Sequence, residues 1–575
     1  MRRFFPFTDL RDYQSNHLGR DILAALSVTL LAIPQGVAYA MIAGLPPVMG
    51  LYACGVPVIV GCMLRSSRHV VTGPSNALSL LVGGGLLVVG GENPIAAAIT
   101  LAFMVGIFQL AAGVLRLGGI VDYISQPVVL GYVVGAGVLI GAGQLPNATG
   151  VANAASGNLY ERVLDWWGKV PDIQLVTVGI AFATVVVLLI VRRLSMRFPA
   201  AVVAIGLTAG CSWLFDLSSH GVKVVADLAS VPGSFFSLSL PDLGMIQILL
   251  PLSVACTVLS LVESSAVART VASESGQILD SNTEFFGQGA ANLTASFLSG
   301  YPISGSLARS SLNAKTGAQS RLAGAMSGVL VLGSLPVMAP VLNVVPLGAL
   351  AGLILVVAAD LIQVRRMRQV MRGPLADGLA MIATMFGTWF LSLDNAIYLG
   401  VGISLILFLR RVRLLRIREM VVTEKLRIQE VDTGDARGCS AVKILHIEGN
   451  LFFGSAGELC AALESARLEP GVQGLVVRMK RTAGLDSTTA QVLVEVAVRM
   501  RESGQVLVLV GLREEEMRWL DAAGILRSLG EENVIPTQKQ WFEALHGGIR
   551  LALNHVEEHH CESCPLEQYL GHVRR

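Results

Sequence analysis

Long apolar runs dominate the first 412 residues of this 575-residue chain, and they restrict its fold more than any other feature. A helix needs about 20 consecutive, mostly apolar residues to cross a bilayer. About fourteen runs approach or reach that length, two of them only half-length, at residues 20–43, 46–64, 73–90, 95–115, 121–143, 173–191, 199–216, 244–268, 283–299, 305–314, 321–341, 345–363, 376–393 and 395–412. With 53% hydrophobic and 15% charged residues, the composition is not that of a soluble protein. We therefore predict an α-helical polytopic membrane protein.

Arginine clusters between the runs predict the orientation. They fall on one side of the alternation and comprise Arg65/Arg68, Arg192/Arg193/Arg197, Arg365/Arg366/Arg368/Arg372 and Arg410/Arg411/Arg413/Arg416/Arg418. By the positive-inside rule that side is cytoplasmic, which places both termini inside. Anchoring of lipid headgroups by the same arginines would give the same orientation. The first run lacks an A-x-A-like cleavage site. We therefore expect a multi-pass protein of the plasma membrane, or of the inner membrane in a bacterium.

The segment Tyr301–Thr316 (YPISGSLARSSLNAKT) is too polar and too broken to cross a bilayer alone, although spanning-length runs surround it. Pro302 and Gly305 interrupt the backbone, and four serines surround Arg309. A helix that starts near Gly305 or Ser306 at mid-membrane would direct its free N–H groups and positive dipole end at the break. Such an end is suited to binding an anion. A kinked helix whose arginine extends to the cytoplasmic edge is the alternative.

A second break follows an earlier run, at Arg68–Ala77 (RHVVTGPSNA). Val70 and Val71 indicate a short extended piece, and Thr72–Ser75 indicates a helix start with proline in the first turn. Paired Gly/Pro interruptions at corresponding places in two halves are typical of an inverted-repeat transporter, whose site lies where the two half-helices meet.

Two further polar positions support the repeat. Laying Ile33–Ala40 over Leu261–Ala268 pairs Gln35 with Glu263 at the same depth. Glu263 is acidic within an otherwise apolar helix, which indicates a functional site; a neutral carboxyl hydrogen-bonded to a neighbouring helix is the alternative. Gln35 can both donate and accept hydrogen bonds. Tyr39, one turn further along, would share its face.

After Met420 the apolar runs stop, and short β-rich runs alternate with helical patterns. We expect strands at 442–446, 451–453, 474–479, 506–510 and 534–535, and helices at 456–467, 487–501, 514–523 and from 538. This alternation fits one small cytoplasmic α/β domain. The expected organisation is a transmembrane domain at 1–420, a charged linker at 421–438, the α/β domain at 439–550 and a tail at 551–575.

The chain resembles the SulP family of anion transporters, which includes plant sulfate transporters and animal pendrin and prestin. The likeness covers nearly the whole length and depends on IPQGVAYAMIAGLPPVMGLYA (Ile33–Ala53), HVVTGPSNA (His69–Ala77), NTEFFGQGAANL (Asn282–Leu293) and YPISGSLARSSLNAKTGAQSRLAG (Tyr301–Gly324). The C-terminal part resembles a STAS domain, with LDSTT (Leu485–Thr489) at the loop that precedes a helix in that domain.

This resemblance implies about fourteen segments in two inverted repeats of seven, typically in a homodimer. A core bundle, here about 20–118 and 243–341, would move elevator-like against a gate bundle, here about 119–216 and 342–413, with half-helices in segments 3 and 10. The anion would lie between those two segments. The expected substrate-binding residues are Gln35, Tyr39, Thr72, Gly73, Ser75, Ala77, Gly305, Ser306, Leu307, Ala308 and Arg309.

Glu263 stands where the family carries the acidic residue of segment 8. Sodium-coupled bicarbonate relatives have Thr one turn after an Asp there, and Val267 occupies that position here, so a sodium site would lose an oxygen ligand. We therefore expect proton coupling through Glu263. The likeness of IPQGVAYA to sulfate transporters favours sulfate uptake by proton symport. Ala308, where animal relatives such as prestin have Ser, leaves bicarbonate, chloride or dicarboxylate transport, by symport or exchange, as alternatives.

Two other classes stay open: a nucleobase–proton symporter of the same fold, and an anion channel or sensor. The chain has no catalytic triad, P-loop or metalloprotease motif, so we predict that it is not an enzyme. Its net charge of +2 gives no reason to expect nucleic acid as a partner. The expected partners are a small anion, a coupling proton, membrane lipid and a second copy of the chain.

The C-terminal region adds two weaker candidate sites. Asp486, Ser487 and Thr488 resemble the loop that is phosphorylated in anti-anti-sigma STAS proteins, although an ordinary helix N-cap is the favoured interpretation. The C-x-x-C spacing near several histidines is compatible with zinc, but a tail without metal is the favoured interpretation, so no metal or cofactor is expected. The weak candidate ligands are His559, His560, Cys561 and Cys564.

Overall fold

The computed structural model describes residues 13–89, 93–119, 124–152, 158–194, 200–217, 221–228, 237–423, 426–431, 439–540, 542–556 and 564–573. The chain divides into two compact units, Met1–Leu405 and Ile406–Arg575. Each unit has its own hydrophobic core.

The regular structure in the described residues of the first unit consists of helices and two very short strands, β1 (Thr72–Gly73) and β2 (Ser304–Gly305). The helices of its first half are α1 (Ser15–Ile42), α2 (Pro47–Ala53), α3 (Val56–Leu64), α4 (Asn76–Val89), α5 (Pro94–Val114), α6 (Gln126–Thr149), α7 (Leu159–Gly168), α8 (Leu175–Leu194), α9 (Ala200–Leu214) and α10 (Val225–Leu228). Those of its second half are α11 (Ile246–Ser275), α12 (Ser281–Phe297), α13 (Leu307–Lys315), α14 (Arg321–Asn343), α15 (Leu347–Leu361), α16 (Val364–Met371), α17 (Leu375–Phe390) and α18 (Leu393–Arg413).

Within the described residues, nine helical stretches are long and apolar enough to cross a membrane. Three shorter apolar helices, α4, α9 and α17, and the more polar α12 and α13 account for the remaining predicted segments. The short helices α4 and α13 each follow one of the two breaks, as the Gly/Pro signals predict.

The second predicted segment, 46–64, differs from the prediction because it forms two helices. The helix is interrupted at Cys54 and Gly55. A Cβ on Gly55 would overlap Leu332 of α14. Nearby, a Cβ on Gly50 would overlap the Gly36 carbonyl, so α1 and α2 cross in backbone contact. The break leaves Cys54 buried beside the first turns of the two half-helices.

The helices pack in two sets. In one set, α12 packs against α5 and α3, α14 against α1 and α3, and α11 against α4 and α5. In the other, α6 packs against α15 and α17, and α8 against α9 and α15. Small residues allow the closest contact, since a Cβ on Gly106 or Gly113 of α5, or on Gly289 of α12, would overlap the backbone of the facing helix. Both half-helices belong to the first set.

Arg65, which belongs to the first arginine cluster, lies inside the helical unit and not on its surface. Its side chain is fully buried, and Nη1 lies 3.8 Å from the Glu284 carboxylate. Nη2 donates to the Gln288 amide oxygen at 2.8 Å, and Nε donates to the Gly61 carbonyl at 3.2 Å. The polar partners supplied by α12 make this burial possible.

The second unit is an α/β domain, as predicted. Its six-stranded sheet has the order β4-β3-β5-β6-β7-β8 and comprises β3 (Arg416–Val422), β4 (Ile428–Val431), β5 (Val442–Asn450), β6 (Gly474–Ala483), β7 (Val506–Leu512) and β8 (Val534–Pro536). Strands β5 to β8 are parallel, and β3 is antiparallel to both neighbours. Its helices are α19 (Ala456–Arg467), α20 (Ser487–Glu502), α21 (Glu514–Ala522), α22 (Ile525–Leu529), α23 (Glu543–His555) and α24 (Pro565–Val573).

Four details of this unit differ from the prediction. The expected linker 421–438 contains the end of β3 and all of β4, which form an edge hairpin on the sheet. Residues 451–453 form a turn rather than a strand, because Ser455 binds both sides of the loop. The last long helix begins at Glu543 instead of 538. The expected tail includes α24, whose Leu566, Tyr569 and Leu570 are buried in the core on one face of the sheet.

Candidate anion site

The two breaks in the helical unit pair with each other. Thr72 of β1 pairs with Gly305 of β2, and Gly73 pairs with Ser304, in antiparallel register. Helix α4 begins three residues after β1, and α13 begins two residues after β2. The N-terminal ends of both half-helices therefore converge at the strand pair, with their free N–H groups and positive dipole ends.

Hydrogen bonds join the first turns of α13 to the chain before β1. The Ser306 N–H donates to the Val71 carbonyl at 3.0 Å, and the Val71 N–H donates to Ser310 Oγ at 2.9 Å. One turn further, Asn313 Nδ2 donates to the His69 carbonyl at 3.1 Å. These bonds fix the two breaks relative to each other, since each one crosses between the halves of the unit.

Two positions of the strand pair need glycine because a side chain would not fit there. Gly73 has a φ of +148°, and a Cβ there would overlap the guanidinium of Arg309. A Cβ on Gly305 would lie 2.8 Å from Ser264 Oγ. The two glycines therefore allow Arg309 and α11 to approach the strand pair directly.

Arg309 is buried without an acidic partner. Only 1% of the residue is exposed. Nη2 donates to the Pro74 carbonyl at 2.5 Å, and Nη1 donates to Cys54 Sγ at 3.3 Å. Nε has no hydrogen-bond partner, and the guanidinium forms no ion pair with any described residue. Its positive charge is thus held by neutral groups next to the ends of the two half-helices.

Other polar atoms around this point also lack partners. Gln35 and Tyr39 of α1 are buried, and Tyr39 lies within electrostatic range of Arg309 and Glu263. Gln35 Oε1 and Thr72 Oγ1 are both buried without a hydrogen-bond partner among the described residues. Buried polar groups are normally satisfied, so these atoms indicate room for a polar ligand or water.

Glu263 of α11 contacts the chain between β1 and α4. Its Oε2 accepts a hydrogen bond from Ser75 Oγ at 2.8 Å, which connects α11 directly to the start of α4. Val267, one turn away, is buried with Val70 and Ala268 in an apolar cluster. Val267 thus contributes no oxygen to the site.

The remaining predicted residues differ in exposure. Ala77 and Ser306 are buried, whereas Leu307 and Ala308 in the first turn of α13 are exposed. The structure therefore joins Thr72, Gly73, Ser75, Glu263 and Arg309 to one strand pair through the contacts above. The other predicted residues are Gln35 and Tyr39 on α1, Ala77 in the first turn of α4, Gly305 on β2, and Ser306, Leu307 and Ala308 at the start of α13.

Sequence reasoning missed a polar row on α12. Glu284, Gln288 and Asn292 recur every four residues, and this spacing within NTEFFGQGAANL was a signal that they share one face. All three are buried. The Gln288 amide nitrogen donates to the Ile303 carbonyl at 2.8 Å, and Asn292 Oδ1 accepts from the Ile303 N–H at 2.8 Å. This row therefore holds the strand that carries Ser304 and Gly305.

The candidate regulatory loop of the α/β unit is a capped helix start. Asp486 Oδ1 accepts from the Thr489 N–H and hydroxyl, each at 2.8 Å, and Oδ2 accepts from the Phe453 N–H at 2.7 Å. Burial alone would raise the pKa of Asp486, but these hydrogen bonds lower the pKa below its usual value. Ser487 and Thr488 are exposed. Both the N-cap and the exposed hydroxyls are therefore present.

Of the weak metal candidates, His559, His560 and Cys561 lie outside the described residues, and Cys564 is half-buried just before α24. A different group lies on the sheet, where His446 Nε2 is 3.7 Å from Glu430 and 3.3 Å from Glu448. Arg478 lies 3.3 Å from the same nitrogen, and Arg481 pairs with Glu448 at 2.5 Å. Burial lowers the pKa of His446, and the nearby positive charge of Arg478 lowers it further. The positive charges beside the two glutamates therefore come from Arg478 and Arg481.

Comparisons with known proteins identify the family of both units. Residues 18–384 match the sulfate permease family, and residues 435–540 match the STAS domain. The chain is 26% identical over 530 residues to the putative sulfate transporter YvdB of Bacillus subtilis, covering 91% of this chain and 97% of that protein. It is 28% identical over 565 residues to the sodium-independent sulfate anion transporter of Bos taurus, covering 92% and 90%.

A solved structure has the same fold. The murine Solute Carrier 26 family member A9 anion transporter, in its inward-facing state, superposes with a TM-score of 0.87 at 19% identity. The match covers 96% of this chain and 94% of that one. The predicted fold class, a helical membrane transporter followed by an α/β STAS domain, is confirmed.

Proposed function

Because the chain belongs to the sulfate permease family, whose members are anion transporters, we propose that it takes up sulfate by proton symport across the plasma membrane. In a bacterium this would be the inner membrane, with both termini in the cytoplasm. The arginine clusters between the apolar runs support that orientation.

Arg309 is the observation that carries the proposal. A buried cation without an acidic partner is unfavourable by several kcal/mol unless a negative charge compensates it. Here the cation lies beside two helix N-termini, which favour an anion in the same place. The unpartnered Thr72 hydroxyl could donate a hydrogen bond to an oxygen of a tetrahedral oxyanion, and the NH2 group of the buried Gln35 amide is a second donor of the right kind. Bicarbonate, chloride and dicarboxylates are the competing small anions.

We propose an elevator-like mechanism, and the helices that carry the site support it. Gln35, Glu263 and Arg309 lie on α1, α11 and α13, and Ser75 lies immediately before α4. All four helices belong to the first helix set. Rigid movement of that set against the set built on α6, α8, α9, α15 and α17 would carry the anion without rebuilding its contacts. We propose that these two sets are the core and the gate, and that the protein acts as a homodimer.

Proton coupling is proposed through Glu263. An anion bound near Arg309 would repel an ionised Glu263 carboxylate, so sulfate binding would favour uptake of a proton by this residue. Sodium is the weaker candidate because Val267 offers no oxygen ligand. The Bos taurus relative, named as sodium-independent, is in keeping with this choice.

The test measures radiolabelled sulfate uptake into proteoliposomes at fixed membrane potential, with an imposed inward proton gradient. We expect the wild-type protein to concentrate sulfate, and Glu263→Gln, which mimics the protonated carboxyl, to exchange sulfate without concentrating it. Glu274→Gln is the matched control, since Glu274 is an exposed carboxylate on the same helix.

Three outcomes would contradict parts of this proposal. Wild-type uptake that ignores the proton gradient would remove proton symport. Accumulation retained in Glu263→Gln would remove this residue from coupling. If unlabelled bicarbonate, chloride, a dicarboxylate or uracil is transported and sulfate is not, the proposed substrate is wrong.

A further inference from the structure

The short helix α16, which connects α15 to α17, has two chemically different faces. At 3.6 residues per turn, its apolar residues fall within one third of the circumference. They are Val364, Met367, Val370 and Met371. The basic residues occupy the opposite side and continue one position beyond the helix. They are Arg365, Arg366, Arg368 and Arg372.

The protein covers the apolar face of α16 only in part, since Met367 and Val370 are half-buried. Val364 is 55% exposed and Met371 is 53% exposed. The exposed apolar surface continues on both sides, with Ile362 just before the helix and Leu375, 79% exposed, at the start of α17. Helix α15 ends at Leu361, and the apolar stretch that is long enough to span a membrane, Leu347–Met371, continues through α16. Within that stretch the sequence changes from apolar in α15 to arginine-rich in α16, and a partly uncovered apolar face on a basic helix is typical of an interfacial helix.

The basic face of α16 is not neutralised by the protein. All four arginines are exposed, and none forms an ion pair with a described residue. The nearest acidic residue before the helix, Asp360, pairs instead with Arg192 of α8 at 2.8 Å. Four positive charges within eight residues are therefore available to an outside partner with negative charge.

We propose that α16 binds the headgroups of anionic lipids in the leaflet at which α15 ends. The apolar face enters the boundary between headgroups and acyl chains, and the arginines bind lipid phosphates, for which the planar guanidinium is well suited. Because α15 packs on α6 and α8, and α17 packs on α6, bound lipid anchors the second helix set at the membrane surface. This inference concerns a surface separate from the anion site and does not depend on which anion is carried.

The experiment titrates the purified full-length protein with phosphatidylglycerol or with phosphatidylcholine of the same acyl chains, and counts bound lipid by native mass spectrometry. We expect the wild-type protein to bind phosphatidylglycerol roughly tenfold or more tightly than phosphatidylcholine. The quadruple variant Arg365→Gln/Arg366→Gln/Arg368→Gln/Arg372→Gln should lose this preference. The matched control, Arg501→Gln/Arg518→Gln/Arg527→Gln/Arg550→Gln, changes net charge equally at four exposed arginines of the α/β unit and should keep it.

Two further measurements separate a lipid from a soluble anion. Val364→Ser/Met371→Ser should weaken phosphatidylglycerol binding several-fold while leaving all four arginines in place. Glycerol 1-phosphate should fail to displace the lipid at equal concentration. Effective displacement, or equal loss in the control and the α16 quadruple variant, would overturn the proposal.

The quadruple variant could fail to fold, so salt dependence of the wild-type protein provides an independent test. Phosphatidylglycerol preference should fall steeply as sodium chloride is raised, because screening weakens exposed charges. A preference that does not change with salt would also overturn the proposal.

Discussion

Three arginines are fully buried within the same set of helices, Arg65, Arg309 and Arg321, and the protein holds the first two of them in opposite ways. Arg65 has an acidic partner, Glu284, at 3.8 Å. Among the described residues, Arg309 has only neutral hydrogen-bond partners, the Pro74 carbonyl and the Cys54 thiol, and its Nε has none. Both lie close to a break in the chain, yet only one charge is neutralised by the protein itself.

The difference indicates which arginine serves the fold and which serves a ligand. A buried ion pair has no net charge to offer, and removing one partner leaves the other charge uncompensated. A buried cation with neutral neighbours keeps its charge, and a bound anion would offset the cost of burying it. We therefore expect changes at Arg65 to affect folding and changes at Arg309 to affect anion affinity.

Arg65→Gln should have the largest effect on stability. The substitution leaves the Glu284 carboxylate buried without a cation, which costs about 3–5 kcal/mol, and it removes the bonds to Gln288 and Gly61. We expect a clear fall in the thermal unfolding midpoint of the purified protein, measured by size-exclusion after heating. Arg65→Gln/Glu284→Gln removes both charges and should recover part of the loss. A double variant that is less stable than either single variant would contradict the ion-pair account.

Arg309→Gln should instead lower sulfate affinity by about 100-fold or more, since a charged hydrogen bond in a site shielded from water contributes about 1.5–3 kcal/mol and the long-range attraction is lost as well. The unfolding midpoint should stay within a few degrees of wild type, because no acidic partner is left uncompensated. Calorimetric titration with sulfate measures the affinity. An unchanged affinity in a well-folded variant would remove Arg309 from the proposed site, whereas misfolding would make it equivalent to Arg65.

The sequence predicts these two arginines unequally well. Arg309 is identifiable because Gly305, Pro302 and a serine-rich stretch surround it inside an apolar region. Arg65 is not, because it stands beside Arg68 in a basic cluster and its partner, Glu284, comes from a helix far along the chain. The four-residue spacing of the polar residues on α12 indicates that they share one face of that helix. Spacing does not show which residues of other helices pack against that face, so it could not identify Arg65 as the partner of Glu284.

A similar limit applies to the α/β unit. Alternating patterns predict most strands and helices of the sheet, because each depends on local periodicity. The edge hairpin of β3 and β4 and the docking of α24 were not predicted. Both depend on distant chain segments covering apolar residues such as Met420 and Tyr569, which local charge and composition do not reveal.

Gly73→Ala tests the position of Arg309 without changing its charge. The new Cβ would overlap the guanidinium, and a φ of +148° is unfavourable for alanine. We expect sulfate affinity to fall about tenfold, because strain of about 1–3 kcal/mol would be relieved by moving Arg309 or the strand pair. Gly317→Ala is the control, since Gly317 also has a positive φ but has open space around it. Equal loss of sulfate affinity in both variants would indicate backbone strain alone.

Cys54→Ala should produce the smallest effect. It removes the sulfur that accepts a hydrogen bond from Arg309 Nη1, and one such bond contributes about 0.5–1.5 kcal/mol, or a few-fold in affinity. We expect weaker sulfate binding with little change in maximal uptake rate, because the guanidinium keeps its charge and its bond to Pro74 but loses one of two fixed contacts.

Cys54→Ser retains an acceptor and should remain close to wild type. Cys256→Ala, at another fully buried cysteine, controls for the loss of packing volume. If the alanine and serine variants at residue 54 bind sulfate equally, the thiol only fills space and Arg309 is positioned by the backbone alone.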